Sequence, residues 1–349
     1  MNLLFLLGAY RPEHCGVSDY VALLSEKLEA LGHSCRIVSI DTEKGSSLAS
    51  VSSALPPADI VSLQFAPYAF HPKGLPGRPL LQLAEALAKR PLQVTFHEIW
   101  TGAYPRASLW ERFTGNRQRR EILNFLRIAR PKGILTTNAA SIDRLQRENL
   151  SPEYLYLFGN VPLAAQIEKI DEVWPKAKST IAFFGTPYSD FPYRRLFQTL
   201  AKTYISMKCE PTVRILGGIR EAKGLNLLRK EAERLDLAVE TTGRLSTEEL
   251  SLELQAATYG VATTPFDALG KSGSAAAMLE HGLPVVAHDD GDTPKDALFA
   301  PGPFKERIVL LTQKDFTNRL KTLIGTPKPP FFDGVTYTAN SFISFLTQA

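Results

Sequence analysis

The sequence predicts an α/β protein made of two doubly wound halves, and three observations carry this. Short apolar strands alternate with amphipathic helices along most of the chain. The alternation pauses in a polar stretch at residues 162–178, with Pro162 and Pro175, and then restarts. Strand after strand ends in glycine or a polar residue, as strands do where loops gather at the carboxyl edge of a parallel sheet.

In the first half, Leu3–Leu7 is an apolar run leading into Gly8. It is short and has no basic residues before it, so it reads as a core strand and not as a signal peptide. The loop from Gly8 precedes a helix that Ser18 or Asp19 could cap, with Val21, Leu24, Leu28 and Leu31 on one face and Gly32 at its end. Further strands are expected at Arg36–Ile40, within Ala58–Phe65, and at Leu92–Phe96, Gly133–Thr137 and Tyr154–Phe158. Helices are expected at Leu81–Leu87, Leu109–Ala129 and Ser141–Glu148.

In the second half, strands are expected at Thr180–Phe184, Val213–Leu216, Ala238–Thr241, Val261–Thr264, Val285–Ala287 and Ile308–Leu311. Helices fall at Tyr193–Lys202, Leu225–Leu235, Thr247–Ala256, Ser274–Glu280 and Asp315–Ile324. After Pro327, Pro329 and Pro330, Asn340–Leu346 offers a terminal helix. The expected division is 1–165 for an N-terminal domain and 166–325 for a C-terminal domain, with 326–349 packing back on the N-terminal domain. Two such halves predict a ligand cleft lined by the carboxyl ends of the strands.

Composition narrows the function classes. The 349 residues are 44% hydrophobic and 22% charged, as in a soluble globular protein. A net charge of +4 suits anionic small ligands but is too weak to argue for nucleic acid. Cys15, Cys35 and Cys209 show no CxxC spacing, which points to a reducing, cytoplasmic setting without a zinc site. No run approaches the length of a membrane span.

The stretch Tyr259–Asp290 holds the most chemistry. It reads as strand, polar loop, short helix and strand, with Gly282 past the helix end and Pro284 beyond it. A unit of this length implies neighbouring parallel strands joined by a right-handed crossover. Gly270-Lys271-Ser272-Gly273-Ser274 brings a lysine, two hydroxyls and flexible backbone to a helix N-terminus, where N–H groups and the helix dipole favour a phosphate. It is not a Walker loop, because Pro265 stands where that pattern has its first glycine. The plainer alternative is that Ser272 or Ser274 only caps the helix and Lys271 is solvated.

At this point the chain resembles a GT-B glycosyltransferase, similar to the family-4 retaining enzymes that use nucleotide-activated sugars. Cys15-Gly16-Val17-Ser18-Asp19-Tyr20 resembles the family's glycine loop, and Leu31-Gly32-His33 its L-x-x-x-G-H helix end. Val94–Trp100 resembles vtlHElw, and Gly282–Ala287 resembles G-x-P-V-V-a. The E-x7-E motif is degenerate: Leu269 and Ala277 stand at its two carboxylate positions. The family's basic residues on the donor diphosphate follow the strand near 181–185, whereas here Thr186 follows Gly185 and the nearest are Arg194, Arg195 and Lys202.

The resemblance implies transfer of a sugar from a nucleotide-diphosphate sugar to a saccharide, lipid-linked or small-molecule acceptor, with retention and with no cofactor or metal. It implies that His97 contacts the transferred sugar and supports developing charge. Glu98 accepts from an acceptor hydroxyl or pairs with an arginine. Asp19 is a base, an acceptor ligand or a helix cap. Gly16 lets backbone N–H groups approach a ligand or makes a tight turn. On the donor side, Gly185, Arg194, Lys271, Ser272, Gly273 and Ser274 are the candidates, with Lys271 taking over charge neutralisation. Arg244 stacks near a base or is solvated. Glu280 replaces the missing ribose ligand or is a surface glutamate. The alternatives to a transferase are a sugar-nucleotide epimerase of the same fold and a non-catalytic nucleotide-sugar-binding or scaffold protein.

One segment stays apart. Arg112, Arg117, Arg119, Arg120, Arg127 and Arg130 are interleaved with Phe113, Ile122, Leu123, Phe125, Leu126 and Ile128. This is either a basic face toward an anionic acceptor or a peripheral membrane contact, or an amphipathic helix with a solvated charged side. The second reading is preferred, with the apolar set in the core.

Overall fold

A computed structural model describes residues 1–12, 14–41, 55–103, 107–164, 178–207, 210–219, 222–289 and 304–348. The chain divides into two compact units. Unit 1 is Met1–Leu155 with Val335–Ala349, and unit 2 is Tyr156–Gly334.

Unit 1 runs β1 (Asn2–Leu7), α1 (Gly16–Ala30), β2 (Ser34–Ser39), β3 (Ile60–Phe65), α2 (Pro67–Phe70), α3 (Arg78–Leu87), β4 (Leu92–Phe96), α4 (Leu109–Ala129), β5 (Gly133–Thr136), α5 (Ala139–Gln146) and β6 (Pro152–Tyr154). Its strands form one parallel sheet in the order β2-β1-β3-β4-β5-β6. Alternate residues of a strand face opposite sides. On one side Leu4, Leu6, Leu63, Phe65, Val94 and Phe96 pack with Leu83 and Leu87 of α3 and with Ile122 and Phe125 of α4. On the other, Phe5 stacks on Phe342 of the terminal helix Gly334–Gln348 at 6.0 Å. Gly133 leaves room for the ring of Phe345, which a Cβ there would meet at 2.2 Å.

Unit 2 runs β7 (Lys178–Phe184), α6 (Tyr193–Met207), β8 (Glu210–Leu216), α7 (Ala222–Glu233), β9 (Ala238–Thr241), α8 (Thr247–Ala256), β10 (Tyr259–Val261), a 3₁₀ turn (Phe266–Lys271), α9 (Gly273–Glu280), β11 (Val285–Ala287), α10 (Phe304–Arg307), β12 (Ile308–Leu310) and α11 (Phe316–Gly325). Its sheet is also parallel, in the order β12-β11-β10-β7-β8-β9. The core joins Ile181, Phe183, Val213 and Ile215 of the sheet to Leu196, Phe197 and Leu200 of α6 and Leu228 of α7.

Helix starts follow local chemistry where it is strong. Ser108 and Glu111 close a capping box on α4, and Ser246 and Glu249 close one on α8. Four expectations are corrected. α1 begins at Gly16 with Cys15 as N-cap, so Ser18 and Asp19 lie inside the helix and neither caps it. Ser18 is buried instead, its hydroxyl accepting from Arg11 N–H at 2.9 Å and donating to the Ala9 carbonyl at 3.3 Å. The sixth strand is Pro152–Tyr154; Tyr156, Leu157 and Phe158 are buried outside the ladder. The loop after β10 winds into a 3₁₀ turn. The terminal helix starts at Gly334, not near Asn340. The expected linker falls largely on residues 165–177, outside the described residues.

Candidate active site

In a doubly wound sheet, ligands sit beyond the carboxyl ends of the strands where neighbouring loops depart in opposite directions. In unit 2 that switch point lies between β7 and β10, because β7 leads on to β8 on one side and β10 to β11 on the other. β7 ends in Gly185, whose φ is +95°. A Cβ on Gly185 would lie 2.8 Å from the hydroxyl of Ser274. Glycine therefore serves twice here: it takes a left-handed backbone and lets β7 close on the first turn of α9.

A set of hydroxyls builds the rim. Thr264 Oγ1 donates to Ser272 Oγ at 3.3 Å, and Ser272 Oγ lies 3.1 Å from Ser274 Oγ. Ser272 is the N-cap of α9, its Oγ accepting from Ala275 N–H at 3.3 Å. The N–H groups of the first helical turn have no intrahelical acceptor, and the dipole adds partial positive charge. Gly273 and Ser274 supply the first two of these groups. Lys271, the last residue of the 3₁₀ turn, is exposed. Thr263 clasps the loop beyond β7: its hydroxyl donates to the Thr186 carbonyl at 2.7 Å and accepts from Tyr188 N–H at 3.2 Å. Thr263 and Thr264 escaped the sequence reading, although two adjacent threonines at a strand end before Pro265 were the available signal.

The structure thus brings Gly185, Ser272 and Ser274 together, with Gly273 between the two serines. Arg194 is exposed in the first turn of α6, and Arg244 is exposed just past Gly243 at the end of β9. Glu280 is not a surface residue. It is 2% exposed, and its Oε1 accepts from the Tyr156 hydroxyl at 2.9 Å and from Gly159 N–H at 3.0 Å. Burial raises its pKa to about 8. Leu269 and Ala277 are fully buried, and a Cβ on Gly159 would stand 2.5 Å from the Ala277 Cα.

In unit 1, His97 and Glu98 follow β4. Glu98 is exposed, and Asp19 and Gly16 lie in the first turn of α1. A Cβ on Gly16 would have nothing within 4 Å, so no packing demands glycine there. His97 is buried, edge-on to Tyr20, with Nε2 at 2.8 Å from Gln64 Oε1. Gln64 Nε2 donates to Ser62 Oγ, which donates to Gln93 Oε1, whose Nε2 donates to Thr95 Oγ1. That chain leaves Gln64 Oε1 as an acceptor, so the network assigns the proton of His97 to Nε2 and leaves Nδ1 an acceptor. Burial lowers the His97 pKa to about 4, so the ring is neutral near pH 7. It therefore offers a hydrogen bond and not a positive charge.

No protein-family model and no curated protein matches the sequence. Solved structures match it in fold. Sucrose-phosphate synthase from Thermosynechococcus elongatus aligns with a TM-score of 0.57 at 12% identity, covering 100% of this chain and 97% of that one. The lipopolysaccharide outer core galactosyltransferase WaaB in its apo form aligns at 0.59 and 13% identity, covering 100% of both chains. Anabaena HepE in complex with UDP aligns at 0.55 and 16% identity, covering 100% of this chain and 95% of that one. The two doubly wound units therefore constitute a GT-B fold, the architecture of these glycosyltransferases. Among the described residues, no helix is long and apolar enough to cross a membrane.

Proposed function

We propose that the protein is a glycosyltransferase that holds a nucleotide-diphosphate sugar on unit 2 and passes the sugar to an acceptor engaged by residues of unit 1. One observation carries the reading: the closure of Gly185 on Ser274 at the N-terminus of α9, at the switch point of the second sheet. A diphosphate there meets helix N–H groups, the Ser272 and Ser274 hydroxyls and the exposed Lys271. Negative charge grows on the leaving diphosphate as the glycosidic bond breaks, so donors fixed at that point lower the barrier. Arg194 and Arg244 are assigned to the outer phosphate and the base. His97 Nδ1 accepts a hydroxyl of the sugar or acceptor, while Glu98, Asp19 and the open backbone at Gly16 face the acceptor. Retention of configuration, without metal or cofactor, belongs to the same reading.

The test is a thermal-shift panel of nucleotides and sugar nucleotides on the wild type and on Lys271→Ala. UDP comes first, since HepE was solved with UDP and with UDP and glucose. Binding to the native state raises the melting temperature. A shift with one nucleotide that Lys271→Ala abolishes supports the donor site, and no shift with any of them overturns it.

A second reading, nucleotide-sugar binding without turnover, has its own support. The position equivalent to the ribose-binding carboxylate is Ala277, and the Gly159 backbone packs against it. Glu280 is engaged within unit 2 through Oε1, which takes two donors. Binding with neither transfer nor hydrolysis of the bound sugar nucleotide selects this reading.

A further inference from the structure

The exposed face of α4 combines large apolar side chains with arginines. The apolar set expected in the core divides: Ile122, Phe125 and Leu126 are buried, but Phe113 is 56% exposed, beside Trp110 at 73% and Leu109 at 86%. The Trp110 and Phe113 rings stack at 6.1 Å, so two large aromatics stand together in water. Every exposed charged residue from 107 to 130 is an arginine: Arg112, Arg117, Arg120, Arg127 and Arg130.

The acids on this helix are spent on structure. Glu111 closes the capping box with Ser108, and Glu121 accepts from Gly77 N–H at 2.9 Å. The one half-buried arginine, Arg119, is held by Glu148 through two bonds of 2.6 and 2.7 Å. At 100° per residue, Trp110, Phe113, Arg117, Arg120 and Arg127 form one stripe, opposite the buried Gln118, Ile122 and Phe125. The face thus leads with an aromatic–aliphatic tip and continues as a row of cations.

We propose that this face docks the protein on an anionic lipid surface, with Leu109, Trp110 and Phe113 entering the headgroup region and the arginine row against the lipid phosphates. A polyanion without rings, such as a polyphosphate, would use the arginines but gain nothing from two exposed, stacked aromatics. An apolar protein groove would not match the continuous basic stripe. A bilayer interface takes both: indole and phenyl rings settle at the headgroup level, and basic residues are drawn to anionic headgroups. The proposal does not depend on the transferase reading.

The test is flotation of the full chain with vesicles of phosphatidylcholine alone or with about one-third phosphatidylglycerol. Binding is expected only to the anionic vesicles, with a blue shift of the Trp110 emission that Trp110→Phe removes while binding persists. The pair Trp110→Ser with Phe113→Ser is expected to weaken binding by at least about tenfold, and Arg117→Glu with Arg120→Glu by a similar factor. All four positions are exposed, so unchanged thermal melts are expected to show that the variants fold. The proposal is overturned if the wild type fails to float with anionic vesicles. It is also overturned if the arginine pair matters and the aromatic pair does not, since the face is then a general polyanion site.

Discussion

The carboxyl of Glu280 accepts the hydroxyl of Tyr156, 124 residues away in sequence, at 2.9 Å. Tyr156 is the first residue of unit 2, and the backbone of Glu280 also accepts Phe332 N–H at 3.0 Å near the end of that unit. Tyr156, Phe304 and Phe332 pack around this point with ring centroids 5.0–6.1 Å apart. One residue therefore fastens both ends of unit 2 to α9.

The first prediction concerns the pH dependence of this anchor. The Glu280 pKa rises from 4.5 to about 8, chiefly through burial. Its contribution is fully present below the unfolded value and is lost as pH rises through about 8. His97 acts in the opposite sense: its pKa falls from 6.5 to about 4, so its contribution is present above 6.5 and lost as pH falls through about 4. His281, also lowered by burial, adds to the acid side. Between 6.5 and about 8 only Glu280 of these three titrates, so its own contribution falls there with a limiting slope of about 1.4 kcal/mol per pH unit. Glu280→Gln keeps an acceptor for Tyr156 and Gly159 and is expected to flatten this limb. Glu280→Ala leaves both donors unmet and is expected to cost about 3 kcal/mol. Denaturant titrations across this range check both.

The second prediction separates a site glycine from a packing glycine. Gly185→Ala places a Cβ at φ +95° and against Ser274 Oγ, a side chain that can turn aside. A loss of about 1–2 kcal/mol is expected, with nucleotide binding reduced well beyond the loss of fold. Gly159→Ala drives a Cβ into the Ala277 backbone at 2.5 Å and is expected to be the more destabilising. Thermal melts with and without nucleotide distinguish the two. Equal losses of stability with binding intact in Gly185→Ala would remove Gly185 from the site.

Much of this was legible in the sequence where local chemistry decides the outcome. Leu92–Phe96, Ala238–Thr241 and the capped helices Leu109–Ala129 and Thr247–Ala256 have the expected bounds, because apolar runs and serine–glutamate boxes are local signals. The rest depends on partners far along the chain. Tyr154–Phe158 has a strand's composition, but Tyr156 finds Glu280 and an aromatic cluster in place of a ladder. A glutamate before His281-Gly282 looks like a surface residue until that tyrosine is in place. Ser62, Gln64, Gln93 and Thr95 alternate with apolar residues along β3 and β4, yet they are buried and satisfy one another beneath His97. Phe113 fits the helix's apolar pattern, but it lies on the solvent side of the stripe.

A third prediction follows for Gly16. It opens α1, has no neighbour within 4 Å of a built Cβ, and carries no positive φ. Alanine at a helix start loses less chain entropy on folding, so Gly16→Ala is expected to stabilise the protein by up to about 1 kcal/mol. If the open backbone receives an acceptor, the same change is expected to raise KM for that acceptor without altering nucleotide binding. A more stable variant with unchanged kinetics would make Gly16 a turn residue alone.

The last prediction tests the charge state of His97. A neutral ring donating from Nε2 to Gln64 is expected to show no titration between pH about 5 and about 8 in its carbon-bound proton shifts. The pH–rate profile is then expected to have no limb near the ordinary histidine value that His97→Asn removes. Gln64→Leu deletes the acceptor and leaves the buried Nε2–H unpaired, at an expected cost of about 1–3 kcal/mol. It also frees the ring to turn and change which nitrogen carries the proton. If His97 contributes Nδ1 as an acceptor, kcat falls in Gln64→Leu more than stability accounts for, even though residue 64 touches no substrate. If His97 only fills the space beside Tyr20, the two variants lose stability and keep the kcat of the folded fraction.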